Sequence, residues 1–230
     1  MTERILSREF HGAENADAWR VLPEGAYAFF PTASFAESIR FVDAISALAP
    51  PGDEPDIDIR PSGVMVLLRA FRSQGYGLVR RHLNLARAIA TTARDMGLSA
   101  EPRAVQSLSM IPGATDRREV MPFWQAVLGY DRRPDSPDED LVDPHGRLAP
   151  FWFEEMDELR PDGKGSIHFV VWVPWDEAEA RVAAGVEAGG RIVRRNDEEH
   201  FWTLADPVGN EVDIATTSAP EAPSAPEADG

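Results

Sequence analysis

Apolar and polar positions along the first hundred residues change period in a way that predicts a mixed order of elements. Phe29-Phe30-Pro31-Thr32-Ala33 reads as the end of an extended segment, and Ser34 and Glu37 then stand at capping-box spacing ahead of a helix. Phe35, Ile39, Val42, Ile45 and Leu48 recur at intervals of three and four, which predicts one buried stripe closed by Pro50-Pro51-Gly52. Alternation at Ile57 and Ile59, then at Val64, Val66 and Leu68, predicts two strands turned by Pro61-Ser62-Gly63. A second helix is expected from about Leu78 to Met96, burying Leu78, His82 or Leu85, Ala86, Ile89 and Ala93. Strand, helix, strand, strand, helix is an α+β order with a mostly antiparallel sheet.

The rest of the chain carries an internal repeat. Leu141-Val142-Asp143-Pro144-His145-Gly146 returns as Leu204-Ala205-Asp206-Pro207-Val208-Gly209, 63 residues later. Each copy follows a strand and a helix: Val105 to Ile111 then Glu119 to Leu128, and Ser166 to Val173 then Asp176 to Ala188. Each helix runs into glycine, at Gly129 and at Gly189-Gly190. Two βαβββ modules fit this pattern. The helical pattern of the first part stops at Met96-Gly97-Leu98, ahead of Ser99-Ala100-Glu101-Pro102. The expected organisation is therefore a domain over 1–100, a second over 103–216 and a disordered tail over 217–230, whose Ser, Ala, Pro, Glu, Asp and Gly cannot offset ordering entropy by burial.

Composition narrows the chemistry. The 230 residues carry 23 basic and 39 acidic side chains, a net charge of −16, which argues against attraction to nucleic acid or an anionic membrane surface and leaves a small molecule as the expected partner. Cysteine is absent, which excludes disulfides, thiolate metal sites and cysteine nucleophiles. No apolar run approaches the roughly 20 residues of a membrane span, and the start lacks a signal-peptide core, so a cytoplasmic location is expected. Gly-rich phosphate loops, GxSxG and HExxH are all missing. Five histidines remain as the imidazoles available for proton transfer or metal binding.

Pro55-Asp56-Ile57-Asp58-Ile59-Arg60, lying between the helix with Phe41-Val42 and the strand Val64 to Leu68, resembles the pterin-4a-carbinolamine dehydratase family. The resemblance spans about residues 4 to 98 and includes Leu6-Ser7, Trp19-Arg20-Val21, Gly77-Leu78 and Leu85-Ala86-Arg87. It implies a 4a-hydroxytetrahydrobiopterin dehydratase, a lyase in which paired histidines and a third imidazole move the protons. Here Asp53 and Glu54 occupy the paired positions before Pro55, and the third falls near Arg72 or Ser73. Asp53 and Glu54 are thus the candidate catalytic residues, in a loop where water would keep them ionised. His82, on the following helix, is expected at its surface or half-buried, and His11 in solvent. The same fold could instead serve as a homo-oligomeric assembly module, bind a pterin-like ring or support the second domain.

Phe123-Trp124 with Val127-Leu128-Gly129-Tyr130, then Ile167-His168, then Asp206-Pro207-Val208-Gly209-Asn210, resemble the vicinal oxygen chelate superfamily of glyoxalases, extradiol dioxygenases and bleomycin-resistance proteins, over roughly residues 104 to 216. The resemblance implies paired βαβββ modules around a cavity that often holds a divalent metal. Position by position it nominates His168, Glu154 and Asp213 as ligands, with the remaining position at Ser107 or Ser109. One imidazole and two carboxylates with open positions would suit Fe, Mn, Ni or Mg. The aromatic positions Trp152, Trp172 and Trp202 are candidates to line a pocket for a flat ligand, the other account of them being core packing. His145 and His200 are expected at the surface. Two functional readings stand beside the dehydratase: a small-molecule binding or sequestering protein, and a metal-dependent lyase or dioxygenase run by the second half.

Overall fold

The structure, a computed structural model, describes residues 4–72, 75–157, 167–205 and 211–217. The N-terminal half runs α1 (Ser7–His11), β1 (Arg20–Leu22), β2 (Gly25–Pro31), α2 (Phe35–Leu48), β3 (Asp56–Arg60), β4 (Gly63–Arg69), β5 (Phe71–Arg72), β6 (Gly75–Tyr76) and α3 (Arg80–Asp95). The four longer strands form an antiparallel sheet in the order β1-β2-β4-β3. The α+β order is the expected one, with α1, β1 and the short β5–β6 hairpin in addition.

The start of α2 follows the sequence: Ser34 Oγ accepts from the Glu37 amide at 3.2 Å and the Glu37 carboxylate accepts from the Ala33 amide at 2.6 Å. Its buried face follows only in part: Ile45 is buried and Val42 packs against the core as expected, but Phe35 and Ile39 are 55% and 46% exposed, and Ser38 and Phe41 are buried beside Ile45. Apolar residues lie on more than one side of this helix, and the side chosen is the one where Phe41 meets Phe30 edge-to-face at 5.0 Å. His82 is likewise not on the helix surface; it is buried, and its Nδ1 accepts from the Val79 amide at the start of α3. His11 is half-buried, with Nε2 accepting from the Val21 amide at 2.9 Å. At the centre of this half, Trp19 is fully buried and donates Nε1–H to the Ala86 carbonyl, tying the approach to β1 to α3.

The tip of the β1–β2 hairpin positions a residue that matters below. Pro23 and Glu24 form the turn, with Leu22 paired to Gly25. Gly25 has φ 151°, and a Cβ there would stand 2.9 Å from the Leu68 carbonyl carbon and 3.0 Å from the Ala70 nitrogen. Both are backbone atoms of the neighbouring strand and its continuation, so they cannot swing aside. Gly25→Ala is expected to cost about 1–3 kcal/mol, read as a lowered denaturant midpoint with an unchanged slope.

The C-terminal half runs β7 (Ser107–Ala114), α4 (Arg117–Leu128), β8 (Asp131–Arg132), β9 (Asp140–Val142), β10 (Phe151–Trp152), β11 (Glu154–Glu155), then β12 (Ile167–Trp172), α5 (Ala178–Glu187), β13 (Arg191–Asn196), β14 (Phe201–Ala205) and β15 (Glu211–Ala215). This is a βαβββ module twice over, with the last strand of the first module interrupted at Phe153. β7 and β12 pair antiparallel at the centre, and each has the last strand of its own module parallel on its other side. The sheet order β13-β14-β15-β12-β7-β10-β9-β8 is symmetric about that central pair. Helix α4 begins with Asp116 accepting from the Arg118 amide at 2.9 Å and ends at Gly129 in the left-handed region, φ 67°. Among the described residues no helix is long and apolar enough to cross a membrane.

Candidate functional site

Register divides the residues of the large sheet between its two faces. Met110, Phe151 and Phe153 pack with Met121 and Trp124 of α4, and Val171, Leu204, Val212 and Ile214 pack with Ala178 and Val182 of α5. The opposite, helix-free face carries Ser107, Ser109 and Ile111 from β7, Val170 and Trp172 from β12, Trp152 from β10 and Asp213 from β15. This face is closed to solvent in its middle, since Ser109, Val170, Ala205 and Ala215 are all at most 5% exposed. Ser109 Oγ, Trp152 Nε1 and Trp172 Nε1 are buried there without a hydrogen-bond partner, and Ser107 Oγ is a fourth such atom at the strand end. Buried polar atoms are nearly always satisfied, so such a group marks where a ligand or ordered water belongs.

The sequence-nominated tryptophans therefore separate. Trp152 and Trp172 reach the helix-free face. Trp202 pairs with Ile214 and packs into the α5 core, with the Arg195 guanidinium 5.6 Å from its ring centroid; for this residue core packing is the account that applies.

The nominated metal ligands stand on three different strands, β12, β15 and β11. His168 pairs with Ile111 and its side chain lies outside the described residues. Asp213 pairs with Val170 on the adjacent strand, and its carboxylate accepts from Thr203 Oγ1 at 2.6 Å. Glu154 is exposed and pairs with Gly113, on the far side of β7 from β12. The fourth position is a serine hydroxyl, a poor ligand at neutral pH. Among the described residues no group of three or more His, Asp or Glu side chains is arranged to hold a metal ion. The Asp206 to Asn210 motif and residues 218–230 lie outside the described residues.

In the N-terminal half, Asp53 accepts from Arg81 Nε at 2.7 Å and Glu54 accepts from the Gly52 amide at 2.9 Å. Of the positions nominated for a third proton carrier, Arg72 lies in β5, its side chain outside the described residues, and Ser73 is itself outside them. His145 is exposed in the Asp143 turn and His200 is exposed at φ 57°, as expected of surface residues.

Sequence reasoning missed the seam between the halves. The β1–β2 hairpin meets the end of the large sheet where β7 begins and β12 and β15 finish. Arg20 makes a two-pronged contact with Asp176, Nε to Oδ1 at 3.1 Å and Nη2 to Oδ2 at 2.6 Å, and Thr217 Oγ1 donates to the Val21 carbonyl at 2.7 Å. Arg133 lies 5.4 Å from the Tyr76 ring centroid and 5.8 Å from that of Trp152, joining the β5–β6 hairpin to the helix-free face. Glu24, only 5% exposed, accepts from Tyr27 Oη at 3.3 Å, and the Ser107 hydroxyl stands beside its carboxyl. Burial pushes the Glu24 pKa up in spite of these contacts. A charged residue in a two-residue turn reads in sequence as solvated, so nothing in the pattern marks Glu24.

Paired βαβββ modules joined through their first strands, with polar atoms on the helix-free face, define an arrangement of the vicinal-oxygen-chelate type. The glyoxalase-like domain family matches residues 109–215, and the C-terminal half is a glyoxalase-like domain. An NAD-dependent benzaldehyde dehydrogenase structure from Legionella pneumophila is similar at 13% identity and a TM-score of 0.37, over 48% of this chain and 99% of that one. A glyoxalase/bleomycin resistance protein/dioxygenase superfamily member from Vibrio splendidus is similar at 14% identity and a TM-score of 0.32, over 49% and 99%. No curated protein sequence matches the chain. The family match lies wholly in the C-terminal half, so the dehydratase resemblance of the first half rests on its own residues.

Proposed function

We propose that this protein binds a small organic molecule bearing carbonyl or carboxylate oxygens on the helix-free face of its glyoxalase-like domain, with the N-terminal half closing one end of the site. The observation that carries this reading is the set of buried, partnerless atoms Ser109 Oγ, Trp152 Nε1 and Trp172 Nε1. An indole N–H can only donate, so two of the three ask for an acceptor. Leaving such a donor unsatisfied costs about 1–3 kcal/mol, which a matching ligand recovers on binding.

Titration with isatin, a flat ring with two adjacent carbonyl oxygens, tests the reading through indole 15N–1H resonances. The Trp152 and Trp172 signals are expected to move together, and the Trp152→Phe/Trp172→Phe variant to lose binding. Shifts confined to other tryptophans, or none, would sink the proposal. A metal-centred reading with Fe, Mn, Ni or Mg on His168, Glu154 and Asp213 competes with this one. It takes over if purified protein carries stoichiometric metal that His168→Ala removes. Carbinolamine dehydration has less support, because Asp53 is engaged by Arg81 and Glu54 by its own loop. The expected rate with this substrate is the spontaneous one.

A further inference from the structure

A cleft of about 570 Å³ opens between the two halves, bordered by Glu24, Tyr27 and Arg69 on one side and by Ser107, Leu108 and Met110 of β7 on the other. Leu108 and Met110 point away from the helix-free face; the cleft meets that face at Ser107, at the strand end, and its lining includes none of Ser109, Trp152 and Trp172, which carry the site proposed above. At its wall Glu24 Oε1 is buried, with the Ser107 hydroxyl beside the carboxyl and no ionic partner on this oxygen. The nearest guanidinium does not fill that role: Arg69 gives Nε to Asp56 at 2.7 Å and Nη2 to the Gly146 carbonyl at 3.3 Å. Across the cleft the Asp143 carboxylate accepts from the amides of His145, Arg147 and Leu148, each at 2.9 Å, which keeps it ionised. The rest of the wall mixes aliphatic side chains with the rings of Tyr27 and Tyr130.

We infer that this cleft is a binding site for a small organic cation, a primary ammonium on an apolar body, whose N–H donates to Glu24 Oε1. The opposite polarity fits less well. An anionic ligand would face Glu24 and Asp143; of the two arginines on the wall, Arg69 is already shared between Asp56 and a carbonyl, and Arg147 is exposed to solvent. Leu108 and Met110 take up the apolar body, and the tyrosine rings suit a cation at close range. The net charge of −16 favours approach of a cation from solution.

Proton linkage supplies a second signature. The groups facing Glu24 are Tyr27 on β2, Tyr76 on β6, Arg69 on β4 with its partner Asp56 on β3, and the Ser107 hydroxyl on β7, with Asp143 and Arg147 also on the cleft wall. Burial pushes the free Glu24 carboxyl up and an ammonium seated against it pulls it back down, so binding is coupled to proton release at any pH where the free carboxyl is still partly protonated.

Calorimetry with 2-phenylethylammonium and its neutral counterpart 2-phenylethanol tests the inference on the full chain. The ammonium is expected to bind with proton release, seen as a heat that depends on buffer ionisation enthalpy, and the alcohol to bind at least about tenfold more weakly. Glu24→Gln should weaken the ammonium by a similar factor. Should that variant fail to fold, Leu108→Trp, at a position 42% exposed, fills the cleft from a tolerant site and should also abolish binding. Equal affinity for the alcohol, binding that survives both substitutions, or no saturable binding of the ammonium each overturns the inference. Because the readout is the cleft and not the Trp152 and Trp172 resonances, it can fail while the helix-free site stands.

Discussion

Replacing Arg133 by alanine is expected to lower stability by about 3–5 kcal/mol, enough to unfold a marginal protein. Arg133 is 11% exposed at its side chain and reaches Asp135 at 2.9 Å and Asp140 at 3.1 Å, whose side chains are 5% and 12% exposed. Asp140 also accepts from Ser136 Oγ at 2.6 Å, and burial pushes its pKa up. Alanine would leave two buried carboxylates facing each other without a counter-charge, and the Tyr76–Arg133–Trp152 contact between the halves would go with it. Arg133→Lys keeps the charge but neither the planar fork nor the stacking, so it should recover less than half of the loss. Denaturant unfolding of the three proteins decides the matter. A loss under about 1 kcal/mol for Arg133→Ala would mean that the cluster behaves as a surface ion pair.

Legibility varied with how local the cause was. The Ser34–Glu37 box, the Pro61-Ser62-Gly63 turn and the Gly129 helix end are decided by two or three neighbouring residues, and each is where the pattern places it. The repeat built on Leu141 and Leu204 is longer in range, yet it reports one module folded twice, and the sheet symmetry follows from it. The expected stripe of α2 holds at Ile45 and fails at Phe35 and Ile39, because spacing says which residues share a side, while the partner, Phe30, decides which side is covered.

The site was legible to the extent that it follows strand alternation. Trp152 and Trp172 share the helix-free face with Ser107 and Ser109, but Trp202 lies in register with Ile214 and so belongs to the core. Ser107 and Ser109, read as weak metal ligands, matter instead as buried hydroxyls. Glu24, Arg20 and Arg133 were invisible because their roles arise only where the two halves meet, and no local pattern encodes a contact such as Arg20 with Asp176, 156 residues apart.

That last contact carries the second large effect. Arg20→Ala is expected to cost about 2–3 kcal/mol, between the ranges for exposed and fully buried pairs, since the two side chains are 12% and 17% exposed. The Arg20 guanidinium also donates to the carbonyls of Asp17 and Trp19 and stands 5.9 Å from the Trp175 ring, so its geometry is set before Asp176 arrives. Burial alone would raise the Asp176 pKa, but the Arg20 hydrogen bonds and charge outweigh it and hold the carboxyl below its ordinary 3.8. A carboxylate depressed in the folded state stabilises the fold at every pH above its unfolded value, and that contribution fades as pH falls through the depressed one. The gap in unfolding free energy between wild type and Arg20→Ala should therefore be flat from neutral pH down to about 5 and close progressively below the ordinary carboxylate range. Limited proteolysis adds a structural readout, because loosening the hairpin from the sheet end exposes the chain between α3 and β7 before either half unfolds. A gap that stays constant into strong acid would assign the stabilisation to packing against Trp175 and not to the ion pair.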